Sequence, residues 1–141
     1  LSAAVAMAAR VAVVDAARPE SWAQTISNFT TDAALRRMLA AVESATAPFD
    51  AAEGIIAGAI QAASTAAHFE DAVLALINQG GPADSAGALT GALAGGRFGA
   101  SGIPQGLIDG LGARIYLSLA APWLYRTMQR RAGTVIDLRP L

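Results

Sequence analysis

Cysteine is missing from all 141 residues, and lysine is missing with it. Without thiols the chain forms no disulfide and offers no thiolate to a metal, a usage that fits a reducing compartment and points to the cytoplasm. Charge is scarce as well: 15% of residues are charged, against about 25% in an ordinary domain. The formal balance is −1, and the ten basic residues are all arginine. They form no patch of the kind a phosphate backbone selects, so nucleic acid is not an expected partner. The pairs Arg36-Arg37 and Arg130-Arg131 read as solvated helix faces. Long unbroken apolar runs are absent too, despite a 54% hydrophobic composition and a mean hydropathy of +0.43. Arg10 and Asp15 break the first run, Arg97 the second and Pro122 the last. None reaches the roughly 18 residues of a membrane span, so no membrane segment is expected. The first residue is Leu1, inside a helical pattern without a basic leader or cleavage signature; this reads as a cut or truncated start.

What fills the chain is alanine, the best helix former, at helical rather than strand periodicity. The expected class is all-α, an orthogonal or irregular helical bundle forming one domain over 1–141. Residues 1–17 make a first helix ended by Arg18-Pro19, and Pro19 suits the first turn of a short second helix through Trp22 and Ile26. Thr30-Thr31-Asp32 supplies cap residues for a third, with Leu35, Met38, Leu39 and Val42 on one face. Asp50 and Glu53 open a fourth. His68-Phe69-Glu70 opens a fifth, with Phe69, Val73, Leu76 and Ile77 at helical spacing. A sixth begins near Asp84 or Ser85. Pro104 starts a short seventh, and a longer last helix runs from about Ala113 to Arg131 with an expected kink at Pro122. The tail TVIDLRPL reads as a short extended piece.

The sixth helix carries Gly87, Gly91, Gly95 and Gly99, each four apart. An interior glycine costs about 1 kcal/mol relative to alanine, so the stripe needs compensation. Residues four apart share a face, and the expectation is a bare strip where another backbone packs closely.

The polar interruption before that helix is Asn78-Gln79-Gly80-Gly81-Pro82-Ala83-Asp84-Ser85. Gly80 and Gly81 permit unusual dihedrals and close approach of a ligand. Asp84 and Ser85 offer two oxygens of the kind a hard cation such as Mg²⁺ accepts. The same two residues are preferred helix caps, and on spacing alone both readings stand.

The order of residues adds to this. NQGGPADSAGALTGALAGGRFGASGIP resembles the carboxy-terminal signature of the ADP-ribosylglycohydrolase family, approximately N-x-G-G-D-x-D-T, then A-I-x-G-x-x-x-G-A-x-x-G, then I-P-x-x-W. FEDAVLALIN and EGIIAGAIQAA are similar to the two helices leading into that loop. The clear resemblance runs over 49–126. It implies an all-α hydrolase fold, present here in part, with two Mg²⁺ ions, that releases ADP-ribose from an acceptor such as a protein side chain. By position it implies that Asp84 and Ser85 are metal ligands, and that Asn78, Gly80 and Gly81 belong to the ligand-binding loop.

Three departures bear on activity. Pro82 stands where the family pattern has an acid, so one carboxylate is missing. Leu107 replaces the tryptophan after Ile-Pro. The T-D-D-type motif that supplies the remaining metal ligands is not matched, since Thr30-Thr31-Asp32 has a single acid and reads as a cap. Hydrolysis needs a carboxylate to take a proton from water. Asp84 has no acid neighbour in sequence; Glu70, Asp71 and Asp109 read as capping or solvated groups, and His68 as a cap. Trp22, Tyr116, Trp123 and Tyr125 read as packing residues rather than an adenine stack. The expectation is therefore a carboxy-terminal portion of an ADP-ribosylglycohydrolase-like protein, inactive alone. Its expected partners are ADP-ribose or an ADP-ribosylated protein, and either a complementing amino-terminal half or a second copy. The alternative is a non-catalytic helical interaction or ADP-ribose-binding module.

Overall fold

A computed structural model describes residues 1–41 and 51–133. Val42, Phe49, Asp50 and the tail TVIDLRPL lie outside the described residues. Eight α-helices are described: α1 (Ser2–Val14), α2 (Trp22–Phe29), α3 (Ala33–Ala41), α4 (Ala52–Thr65), α5 (Phe69–Ile77), α6 (Ala83–Phe98), α7 (Gln105–Asp109) and α8 (Arg114–Arg131). Among the described residues there is no strand, so the all-α class stands. No helix among them is long and apolar enough to cross a membrane.

The chain divides into two compact units, Leu1–Pro104 and Gln105–Leu141. In the first, α4, α5 and α6 pack against one another, α1 lies on α6, and α2 and α3 lie on α4. The core is built from small and medium side chains, Ala57, Ala59, Ile60, Ala72, Leu76, Leu93 and Ala94 among them. Alanine lets helices approach, and the bulk comes from a few residues such as Trp22, Ile26 and Leu35, each fully buried. Burying one such side chain contributes about 1.5–3 kcal/mol.

Local signals set the boundaries. The first helix stops at Val14, earlier than residue 17, and a single 3₁₀ turn over Pro19–Ser21 leads into α2. The Trp22 indole Nε1 donates to the Asp15 carbonyl at 3.0 Å, tying the start of α2 to the end of α1. Asp32 caps α3: its carboxylate accepts from the backbone N–H groups of Ala34 and Leu35, each at 2.9 Å, as the Thr-Thr-Asp pattern predicts.

The second unit contains α7 and α8 among its described residues. Gln105 Nε2 donates to the Asp109 carboxylate at 2.9 Å, and Arg114 forms an ion pair with the same group. The longer helix carries Pro122 in its interior, as the sequence indicates, and no residue of it is buried. Ile115, Tyr116, Leu119 and Trp123 are each more than two-thirds exposed.

Candidate functional site

The polar loop is held from both sides by helix ends. At the end of α5 the Asn78 N–H donates to Leu74 at 3.0 Å, Gln79 N–H to Leu76 at 3.2 Å, and Gly80 N–H to Ile77 at 3.2 Å. The chain then reverses through two left-handed residues, Gly80 at φ +80° and Gly81 at φ +73°. A Cβ at Gly80 would meet nothing within 4 Å. The requirement for glycine there is dihedral rather than steric, since side chains make the left-handed region costly. Ala83 N–H closes the turn onto the Gly81 carbonyl at 2.8 Å.

Helix α6 starts at Ala83, with Pro82 as its cap at φ −77° and no side-chain cap bond. Asp84 and Ser85 therefore sit inside the first turn, which corrects their reading as caps. The locked φ of Pro82 lets the helix begin one residue before the acid. Asp84 remains favourable there, since a carboxylate in the first turn meets the positive end of the helix dipole. Asn78, Gly80, Gly81, Asp84 and Ser85 are all exposed, and among the described residues the side chains of Asn78, Asp84 and Ser85 have no hydrogen-bond or ion-pair partner.

The glycine stripe seats this loop, but not in the way its spacing suggests. The Ile77 side chain lies over Gly87, with its Cδ1 3.1 Å from where a Cβ would sit, and the Phe69 ring lies 4.0 Å from the corresponding points on Gly91 and Gly95. Side chains of α5, not a backbone, fill the strip. Close backbone approach occurs instead at Gly96, off the stripe: a Cβ there would stand 3.3 Å from Ala12 Cβ and 3.7 Å from the Ala12 carbonyl carbon. Gly99 is no interior residue; it terminates α6 at φ +71°.

Arg97 has a role that the sequence does not announce. Its Nη1 donates to the carbonyls of Ala63 at 2.7 Å and Ala66 at 2.8 Å, capping the otherwise open end of α4 from α6. The guanidinium also lies over the Phe98 ring, 4.6 Å from its centroid. Desolvation lowers the Arg97 pKa, and the charge of Glu20 opposes that shift.

The side-chain oxygens in the loop are those of one carboxylate, one hydroxyl and two amides, Asp84, Ser85, Asn78 and Gln79. Mg²⁺ takes six oxygens in near-octahedral geometry, typically with one or two carboxylates, substrate phosphates and several waters. Among the described residues no three His, Cys, Asp or Glu side chains gather where they could hold a metal. These residues do not fit a self-contained magnesium centre. Glu70 and Asp71 lie exposed in the first turn of α5, capped by the backbone of an exposed His68. Trp22 is core, whereas Tyr116, Trp123 and Tyr125 are largely exposed on α8.

A family model for ADP-ribosylglycohydrolase matches residues 1–134. The chain belongs to the ADP-ribosylglycohydrolase family, and its all-α architecture agrees with that membership. The match takes in the first 48 residues, where the sequence shows only apolar helical character. No curated protein and no solved structure matches.

Proposed function

We propose that this family member carries the ADP-ribose-side loop of its fold at Asn78–Ser85 and does not hydrolyse on its own. Family membership supports the ligand class. The observation that carries the loss of activity is Pro82, which forms the cap of α6 and has no side-chain oxygen at the position where the family pattern has an acid. Gly80 and Gly81 let a ligand approach the backbone. The Asp84 and Ser85 oxygens would accept from ribose hydroxyls or contribute to holding one hard cation, with Mg²⁺ the choice the family implies. Asp84 is the only acid in the loop, so further ligands and a proton acceptor have to come from outside the loop.

The test is direct. Incubating the chain with Mg²⁺ and ADP-ribosylated arginine or ADP-ribosylated protein releases no ADP-ribose above background. Turnover by this chain alone sinks the proposal.

A second reading is favoured by α8. A helix with this many exposed large apolar residues is a candidate contact surface, and it suits a non-catalytic helical interaction or ADP-ribose-binding module. Calorimetry with ADP-ribose distinguishes the branches: saturable heat retains the ligand loop, and silence in every metal condition leaves interaction as the role.

A further inference from the structure

A cleft of about 380 Å³ opens in the first unit between the Pro19–Ser21 turn, α2, α3 and α4. Its size falls in the range of small-molecule sites, which begin at about 300 Å³. Ala23, Leu39 and Ile60 give it apolar walls, and Glu20, Gln61, Ser64 and Thr65 give it a polar edge. A shallower groove continues from it along α2 and shares Glu20, Ala23 and Leu39. No residue of the candidate ADP-ribose loop lines either space.

Beside Gln61, whose amide both donates and accepts, the polar edge consists of acceptors. The Ser64 and Thr65 hydroxyls each spend their hydrogen on the Gln61 carbonyl, at 3.0 and 2.9 Å. Their oxygens are left with lone pairs. The Glu20 carboxylate has no hydrogen bond or ion pair within 4 Å among the described residues. The arginines on neighbouring elements are otherwise engaged: Arg18 pairs with Asp15 at 3.1 Å, Arg36 Nε donates to the Ser27 carbonyl at 3.1 Å, Arg37 Nε donates to the Ala33 carbonyl at 3.2 Å, and Arg97 holds the end of α4 while acting on Glu20 only at longer range. No cation lines the cleft. A ligand that satisfies one carboxylate and two hydroxyl acceptors beside an apolar wall brings several N–H donors, a positive charge and an apolar body.

The geometry points to a binding site for an amphipathic organic cation, a primary ammonium on an alkyl or aryl group, with Glu20 as counter-ion and Ser64 and Thr65 as acceptors. This site is independent of the proposed ADP-ribose loop and stands or falls separately from it.

The test uses the 141-residue chain and three probes sharing one body: 2-phenylethylammonium, 2-phenylethanol and 3-phenylpropionate. Amide chemical shifts are followed on titration. The ammonium saturates shifts at the Pro19–Ser21 turn and α4, and the alcohol and the carboxylate bind more weakly. Because Glu20 is exposed, Glu20→Gln weakens ammonium binding by only about two- to fivefold, with an unchanged circular dichroism spectrum. Ala23→Leu fills the cleft and abolishes the shifts. Equal binding of all three probes, no saturable binding of the ammonium, or shifts indifferent to both substitutions overturns the assignment. If Ala23→Leu unfolds the chain, Glu20→Gln and the probe series decide alone.

Discussion

Arg97 on α6 donates to the carbonyl of Ala63 on α4 at 2.7 Å, and the same nitrogen reaches Ala66 at 2.8 Å. One exposed-looking charge in an apolar helix is thereby a clamp between two core helices. Charge-assisted hydrogen bonds contribute about 1.5–3 kcal/mol. Arg97→Ala is expected to lower stability by about that amount in a urea titration. Arg97→Lys recovers only part of the loss, since lysine is shorter and lacks the flat guanidinium that lies over the Phe98 ring. An Arg97→Ala midpoint equal to the parent's contradicts the clamp.

Gly91 and Gly96 differ in what faces them, and that difference has a sign. At Gly91 an added methyl meets the Phe69 ring at an ordinary 4.0 Å, whereas at Gly96 it crowds Ala12 and Val13 at 3.3 Å. Alanine gains about 1 kcal/mol over glycine inside a helix. Gly91→Ala is expected to raise the melting temperature. At Gly96 the same gain is offset by strain against α1, and Gly96→Ala leaves the melting temperature unchanged or lower. The reverse order would show that α1 does not sit where the structure has it.

The loop glycines are tested by dihedral cost. An L-residue in the left-handed region costs about 1–2 kcal/mol, so Gly80→Ala and Gly81→Ala each destabilise by about that much, although the space around Gly80 is open. Proposed ligand binding falls with them, and calorimetry with ADP-ribose reads that loss. Two substitutions that leave both stability and binding intact would remove the loop from the account.

The exposed apolar side chains of α8 predict concentration-dependent self-association in sedimentation velocity and binding of an apolar dye. Replacing Leu119 and Leu124 with glutamate suppresses both. A monomeric parent that does not bind dye contradicts this.

The helices were legible in the sequence because alanine content and punctuation act locally. Asp32 caps α3 through backbone groups two and three residues on, and Pro122 lies within α8 as the pattern indicates. The start of α6 was misread because two good caps at 84 and 85 outweigh, on paper, a proline whose fixed φ already suits a helix start. The four-residue glycine spacing was visible, but what fills it was not: Phe69 and Ile77 reach it from another helix, and Gly96 meets α1 across most of the chain. Arg97 was invisible as a clamp for the same reason, since its acceptors lie 31 and 34 residues away. In the candidate site the residue types and their order carried the family resemblance.

The central claim is that a family loop with Pro82 in place of an acid leaves this chain without hydrolysis of its own. The most direct measurement is release of ADP-ribose from an ADP-ribosylated arginine substrate, with Mg²⁺ present and with the metal chelated. The account predicts background release in both conditions. Metal-dependent, multiple-turnover release by the unmodified chain would contradict it.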